Sequence, residues 1–334
     1  VLRWLLVAAT SWFLLRELAP LLRPLLLAVF LAYVILPVRL YVQGQVRAGA
    51  RHLILVAGLG VILAGLAMLT YGDVVDLSSE LPRLHDQSKK ILAEVARYIH
   101  EHIPSLQAAI VGTTSAEEQG STRLKEVAEG LANTTAGVLV EAIQVLFYLA
   151  LILVEAGRLP GRVRTAFADE QADRLLTMIG TINAAMASYL KVKVNVNLVL
   201  AVPVMLILQV FGVKYVVLWG VLTFFANFVP YLGSVVACAL PILFAFLDRG
   251  FAWQPLCVTA LLPVLHVTSA YFIEPAMTGK AVNLSPLVVL IALSFWGLCW
   301  GLTGMILAVP LTAMLKIILE SASGTKPIAE LMGE

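Results

Sequence analysis

Apolar residues run along this chain in long blocks separated by short charged loops. A helix of about 20 apolar residues crosses the hydrocarbon core. By that measure candidate spans lie at about 2 to 19, 21 to 38, 53 to 72, 134 to 154, 194 to 213 and 251 to 273. Two further blocks, Tyr215 to Leu247 and Ala281 to Leu315, are each too long for one comfortable crossing. Each is interrupted near its middle by helix-disrupting residues, Asn227-Phe-Val-Pro230-Tyr231-Leu-Gly233 in the first and Trp296-Gly297 through Trp300-Gly301-Leu-Thr303-Gly304 in the second. Both read as helix, turn, helix. Irregular backbone persists at membrane depth only where protein buries it or it lines a wet cavity, because unpaired N–H and C=O groups are costly in lipid. Two such breaks point to a transporter. A single long, tilted or Pro-kinked helix is the competing reading of each block. The predicted fold class is an all-α polytopic membrane protein of about eight membrane segments, two of them broken or re-entrant hairpins.

Composition agrees with this class. With 60% hydrophobic and 13% charged residues, and a mean hydropathy of +0.92, the chain lies outside the soluble globular range. A net charge of +2 gives no basis for nucleic-acid binding. The placement of the charges instead sets topology. Arg39, Arg47 and Arg51 share a loop without acids, and the 155–193 loop holds Arg158, Arg162, Arg164, Arg174, Lys191 and Lys193 against four acids. The positive-inside rule puts both loops in the cytoplasm, the acid-rich segment 73–133 outside, and both termini inside.

The predicted organisation is transmembrane helices over 1–72, an extracytoplasmic amphipathic helical segment over 73–133 and a transmembrane helix over 134–154. A cytoplasmic loop with an interfacial helix near Ala172 to Tyr189 fills 155–193, a transport core with both hairpins fills 194–318, and a tail occupies 319–334. A hinge is expected at Pro20 to Pro24. In the outer segment Leu77, Leu81, Leu84, Ser88, Ile91, Val95 and Tyr98 share one helical face, which Pro104 should end. A span plus hairpin occurs twice in the core, with opposite expected sidedness, as in an inverted repeat. The sequences echo it faintly, Gly233-Ser-Val-Val-Ala-Cys-Ala-Leu-Pro241 against Gly304-Met-Ile-Leu-Ala-Val-Pro310.

Hairpin tips expose unpaired N–H groups that suit anionic or hydroxyl-rich ligands. The candidate solute-binding residues are therefore Asn227, Pro230, Tyr231, Gly233 and Ser234 at the first tip, and Trp300, Gly301, Thr303 and Gly304 at the second. Local capping is the alternative role for Asn227, Ser234 and Thr303, and interfacial anchoring for Tyr231 and Trp300. Ionisable residues near the spans are few, and Glu141, His266 and Glu274 are the candidates for ion coupling. No Walker loop, HExxH or GxSxG occurs, so no catalytic residue, metal site or cofactor is expected. Cys238, Cys257 and Cys299 sit inside apolar segments without metal or redox spacing.

The C-terminal motifs Phe228-Val-Pro-Tyr-Leu-Gly233, Ile273-Glu-Pro-Ala-Met-Thr-Gly279, Leu284-Ser-Pro-Leu-Val-Val-Leu290 and Trp300-Gly-Leu-Thr-Gly-Met-Ile-Leu-Ala-Val-Pro-Leu311 resemble, in this order, the autoinducer-2 exporter family of bacterial permeases. The resemblance is strongest over about 175–318. It implies an inner-membrane protein that exports a small signalling molecule and assembles as a homo-oligomer, with some members acting as sodium/proton antiporters. The leading expectation is a secondary transporter exporting a small polar or anionic solute, driven by an ion gradient of protons or sodium, with membrane lipids around it. A cation/proton antiporter and a non-transporting scaffold whose outer segment binds a partner are the alternatives.

Overall fold

A backbone in lipid must satisfy its polar groups within the segment, which favours helices for the long apolar blocks. The computed structural model describes residues 2–42, 48–102, 140–278, 283–321 and 324–333, and among these residues there is no strand. The helices are α1 (Leu2–Glu17), α2 (Ala19–Val42), α3 (Ala48–His102), α4 (Val140–Glu155), α5 (Leu159–Ala166), α6 (Asp169–Val210), α7 (Val216–Ala226), α8 (Leu232–Arg249) and α9 (Trp253–Thr268). A π-helical turn, Ser269–Ile273, leads into α10 (Glu274–Thr278), followed by α11 (Pro286–Ser321) and α12 (Lys326–Leu331). Among the described residues, five segments are long and apolar enough to cross a membrane: Ile54–Ile91, Asp169–Val210, Leu232–Arg249, Trp253–Met277 and Pro286–Ser321. A sixth arises if α4 and α5, bent by 60° at their junction, form one span. The shorter apolar helices Ala19–Ile35 and Val216–Ala226 stand outside that number.

Three boundaries differ from the sequence reading. The expected span at 53–72 and the outer amphipathic helix are one continuous helix, α3, which runs through Pro82. A proline inside a helix removes one hydrogen bond without always ending it. The expected interfacial helix near 172–189 is the N-terminal half of α6, continuous with the following span. The hinge near Pro20 to Pro24 is a one-residue break at Leu18, bridged by Leu18 N–H to the Leu14 carbonyl and Leu22 N–H to the Leu18 carbonyl. Pro20 falls in the first turn of α2, where its missing N–H costs nothing. The expected stop at Pro104 lies outside the described residues.

The chain divides into two compact units, Val1–Leu63 with Val140–Val196 and Phe272–Glu334, and Ala64–Leu139 with Asn197–Tyr271. In the first, Ala28 and Ile35 of α2 pack with Leu55 of α3 and with Val145, Leu149 and Leu153 of α4. Also in this unit, Ala19 packs beside Cys299 and Trp300. In the second, Val204 and Leu208 of α6, Trp219 of α7, Phe244 of α8, Val258 and Leu262 of α9 and Leu84 of α3 form one core. Large apolar side chains such as Val61 and Met68 face outward at 72% and 82% exposure, as expected of helices solvated by lipid.

Candidate functional site

Each interrupted block folds back on itself. In the second unit, α7 and α8 form a hairpin whose arms meet through aromatic contacts, with Tyr215 and Trp219 at 5.4 and 5.6 Å from Phe244. Its tip is residues 227–231. Tyr231 has φ +62° and ψ −59°, and the Leu232 N–H bonds the Pro230 carbonyl at 2.7 Å, a tight γ-turn. For a non-glycine residue this conformation stores about 1–3 kcal/mol of strain. Two residues later Gly233 packs against the first arm so closely that a Cβ would overlap the Ala226 carbonyl. Only glycine closes this tip.

A polar chain runs behind that tip. Ser234 donates from Oγ to Asn227 Oδ1 (3.1 Å), Asn227 donates from Nδ2 to Asn197 Oδ1 (2.8 Å), and Asn197 donates from Nδ2 to the Phe224 carbonyl (3.0 Å). The last bond matters because the final carbonyls of a helix have no partner within it. Asn197 is fully buried and Asn227 is 5% exposed, so this is an interior network. Pro230 and Ser234 are half-buried, while Tyr231 stands out at 56% exposure.

The second hairpin, in the first unit, lies within α11. Gly301 alone leaves helical geometry, at φ +62° and ψ −140°, a region only glycine occupies readily. Three residues on, a Cβ at Gly304 would overlap the Trp296 carbonyl. The Trp296 indole N–H bonds Thr312 Oγ1 across the arms at 3.2 Å, and the Trp300 N–H bonds the Leu15 carbonyl of α1 at 2.9 Å. Thr303 is half-buried and Gly301 exposed at the tip. The two tips thus share a local design: a residue at positive φ, then a glycine seated on a carbonyl of the first arm. Asn227, Gly233 and Ser234 come together at one tip, and Trp300, Gly301 and Gly304 at the other.

The bases of the hairpins close as well. Arg249 bonds the Gly212 carbonyl, and Lys214 Nζ lies 2.7 Å from Glu80 Oε1 and 3.5 Å from Asp248 Oδ1. Residues entering and leaving the first hairpin therefore meet. Lys214 is in the loop between α6 and α7, and Glu80 lies beyond the charge-free part of α3. Their hydrogen bond holds the Glu80 carboxyl below its usual range and raises Lys214. At the second hairpin, Lys316 Nζ bonds the Asn283 carbonyl at 2.5 Å and faces Glu320 at 3.6 Å. Ser285 N–H bonds the Met332 carbonyl at 3.0 Å, which docks the C-terminal segment beside it.

The ion-coupling candidates have separate settings. Glu274 accepts a 2.5 Å hydrogen bond from Lys193 Nζ, and Lys193 is only 5% exposed. His266 is buried with Nδ1 at 2.9 Å from the Leu262 carbonyl, and its Nε2 has no partner among the described residues. Glu141 is half-buried on α4 and forms no ion pair among the described residues. Sequence reasoning missed Asn197 and the pairing of Lys193. The available signals were an asparagine inside an apolar span, which implies an interhelical partner, and a lysine on the same helical face as Tyr189, one turn away.

Helices of spanning length, lipid-facing apolar surfaces and two folded-back hairpins define a multi-pass integral membrane protein with the architecture of a permease. The AI-2E family transporter model matches residues 2–324, and the chain belongs to this family of membrane transporters. The AI-2 transport protein TqsA of Escherichia coli (strain K12) is 28% identical over 331 residues, covering 96% of this chain and 91% of TqsA. YhhT of the same strain is 27% identical over 312 residues, covering 92% and 87%. A protein of Haemophilus influenzae reaches 38% over 146 residues, covering 44% of this chain and 42% of its own.

Proposed function

We propose that this chain is a secondary transporter of the bacterial inner membrane that exports a small polar or anionic solute, with solute-contacting residues at each of its two hairpin tips. The observation that carries the reading is the buried Ser234–Asn227–Asn197 chain behind a strained tip, a polar network set into an otherwise apolar helix pair. We read both hairpins as re-entrant on the length of their first arms, which fall short of a crossing, while α8 alone reaches crossing length. At 1.5 Å per residue α7 is about 16 Å long and Pro286 to Trp300 about 22 Å, against a hydrocarbon core of about 30 Å. The first hairpin opens to the outside and the second to the cytoplasm, an inverted pair suited to alternating access, with both termini cytoplasmic. The solute class includes autoinducer-2-like signalling molecules, in keeping with the name of TqsA.

The test is efflux from proteoliposomes loaded with labelled autoinducer-2, comparing wild type with Asn227→Ala, Tyr231→Ala and Thr303→Ala. Each variant is expected to reduce flux at unchanged reconstitution. Wild-type flux in all three would defeat the assignment of the tips.

A further inference from the structure

The first turn of a helix carries N–H groups with no acceptor inside it, and in an apolar setting water does not satisfy them. α7 begins without a side-chain cap of its own. Its N-cap residue, Tyr215, sits at φ +61° and ψ +39° and makes no capping hydrogen bond from its side chain. The acceptor comes from another helix: the Leu218 N–H, third in α7, bonds Asp73 Oδ2 of α3 at 3.2 Å. The third position is one of the two that an N-cap side chain serves. Asp73 is half-buried and is the first charged residue after the apolar block 53–72. The same face of α3 continues the contact. Asp73, Leu77, Glu80 and Leu84 follow one another at helical spacing, a single stripe. Leu77 and Leu84 pack into the core with Trp219 and Phe244. Glu80 Oε1 takes Lys214 Nζ at 2.7 Å, and Arg83, beside the stripe, lies 3.9 Å from Asp248 near the end of α8. About 16 Å of α3, from Asp73 to Leu84, thus meets both the entrance and the exit of the first hairpin.

We propose that Asp73 is a positioning residue for transport: its carboxylate caps α7 from α3 and so fixes the arm that carries the first tip. A negative charge at this end of α7 is also favoured by the helix dipole. With both ends of the hairpin held on one stripe, α3 and the hairpin move as a single body, and the strained tip at 227–231 follows α3. Leu218 and Asn227 are separated by about 14 Å along α7, so Asp73 acts on the tip through the helix and not on the solute. The cap itself is independent of what is exported. Its consequence for flux rests on the transport reading above.

The experiment measures amide hydrogen exchange over residues 216–220 of the purified full chain, together with efflux from proteoliposomes loaded with labelled autoinducer-2. In the wild type the Leu218 amide is expected to exchange slowly, and in Asp73→Ala about fivefold faster, the loss of one N-cap. Asp73→Asn offers the same acceptor without the charge and is expected to keep the protection and the flux. Asp76→Ala removes an equal charge from an exposed position one turn along α3 and is expected to change neither. In efflux, Asp73→Ala is expected to lower the maximal rate at an unchanged half-saturating concentration. Fast exchange of Leu218 in the wild type, or equal exchange in wild type and Asp73→Ala, would overturn the proposal. So would a raised half-saturating concentration at an unchanged maximal rate, because Asp73 would then act on the solute. The expected exchange pattern with no efflux by the wild type would count against the transport reading and leave the cap standing.

Discussion

Asn197→Ala is the substitution that most directly probes the first tip. It deletes two hydrogen bonds, to the Phe224 carbonyl and from the Asn227 amide, at a fully buried position. Interhelical hydrogen bonds in membranes average about 0.6 kcal/mol and reach about 1.7, so two contribute about 1–3 kcal/mol. The Phe224 carbonyl is left without a partner at a helix end, and a buried orphan group costs about 1–3 kcal/mol of its own. The combined loss is about 2–4 kcal/mol after allowing for overlap between the two estimates. With about 2–4 °C per kcal/mol for larger domains, unfolding temperature in detergent should fall by about 4–16 °C. Flux should fall with it, and a double-mutant cycle with Asn227→Ala should be strongly non-additive, because Asn197 acts through Asn227. Unchanged unfolding temperature together with additive flux losses would refute the reasoning.

Gly301→Ala should lower unfolding temperature and flux, since a Cβ at φ +62° and ψ −140° costs about 1–3 kcal/mol; Ala tolerated without effect, by thermal scan and efflux, would mean the tip is not held as described. Gly233→Ala should act more severely, because its Cβ meets the backbone carbonyl of Ala226 and no side chain can move aside; recovery of folded protein by size-exclusion chromatography measures this. The Glu80 carboxyl, lowered by Lys214, contributes stability that is complete above its ordinary value of 4.5 and is lost as pH falls through the lowered folded value. Glu80→Gln should therefore flatten the acid limb of stability against pH, and an unchanged limb would show that the bond contributes little.

The breaks were legible because their residues are backbone-specific. Gly233 and Gly301 sit where a Cβ would collide or strain, and such positions show in sequence as glycines inside apolar blocks. Pro82 and Pro203 were not informative in the same way, as both lie inside continuous helices. The length of α6 was hidden because Lys191 and Lys193 read as loop charges, whereas Lys193 turns inward to a partner far along the chain. Asn197 was hidden for the same physical reason. A polar residue in an apolar span announces that it has a partner, but the partners here, Phe224 and Asn227, are 27 and 30 residues away and are chosen by tertiary packing.

Cysteine accessibility at the two tips tests the central claim most directly. On a background lacking Cys238, Cys257 and Cys299, single cysteines at Ser234 and Thr303 would be probed from each side of the membrane with an impermeant thiol reagent. The account predicts labelling at both positions, altered by the transported solute or by an imposed gradient. Absence of labelling at both positions from either side would contradict it, because the tips would then be kinks sealed in protein or lipid.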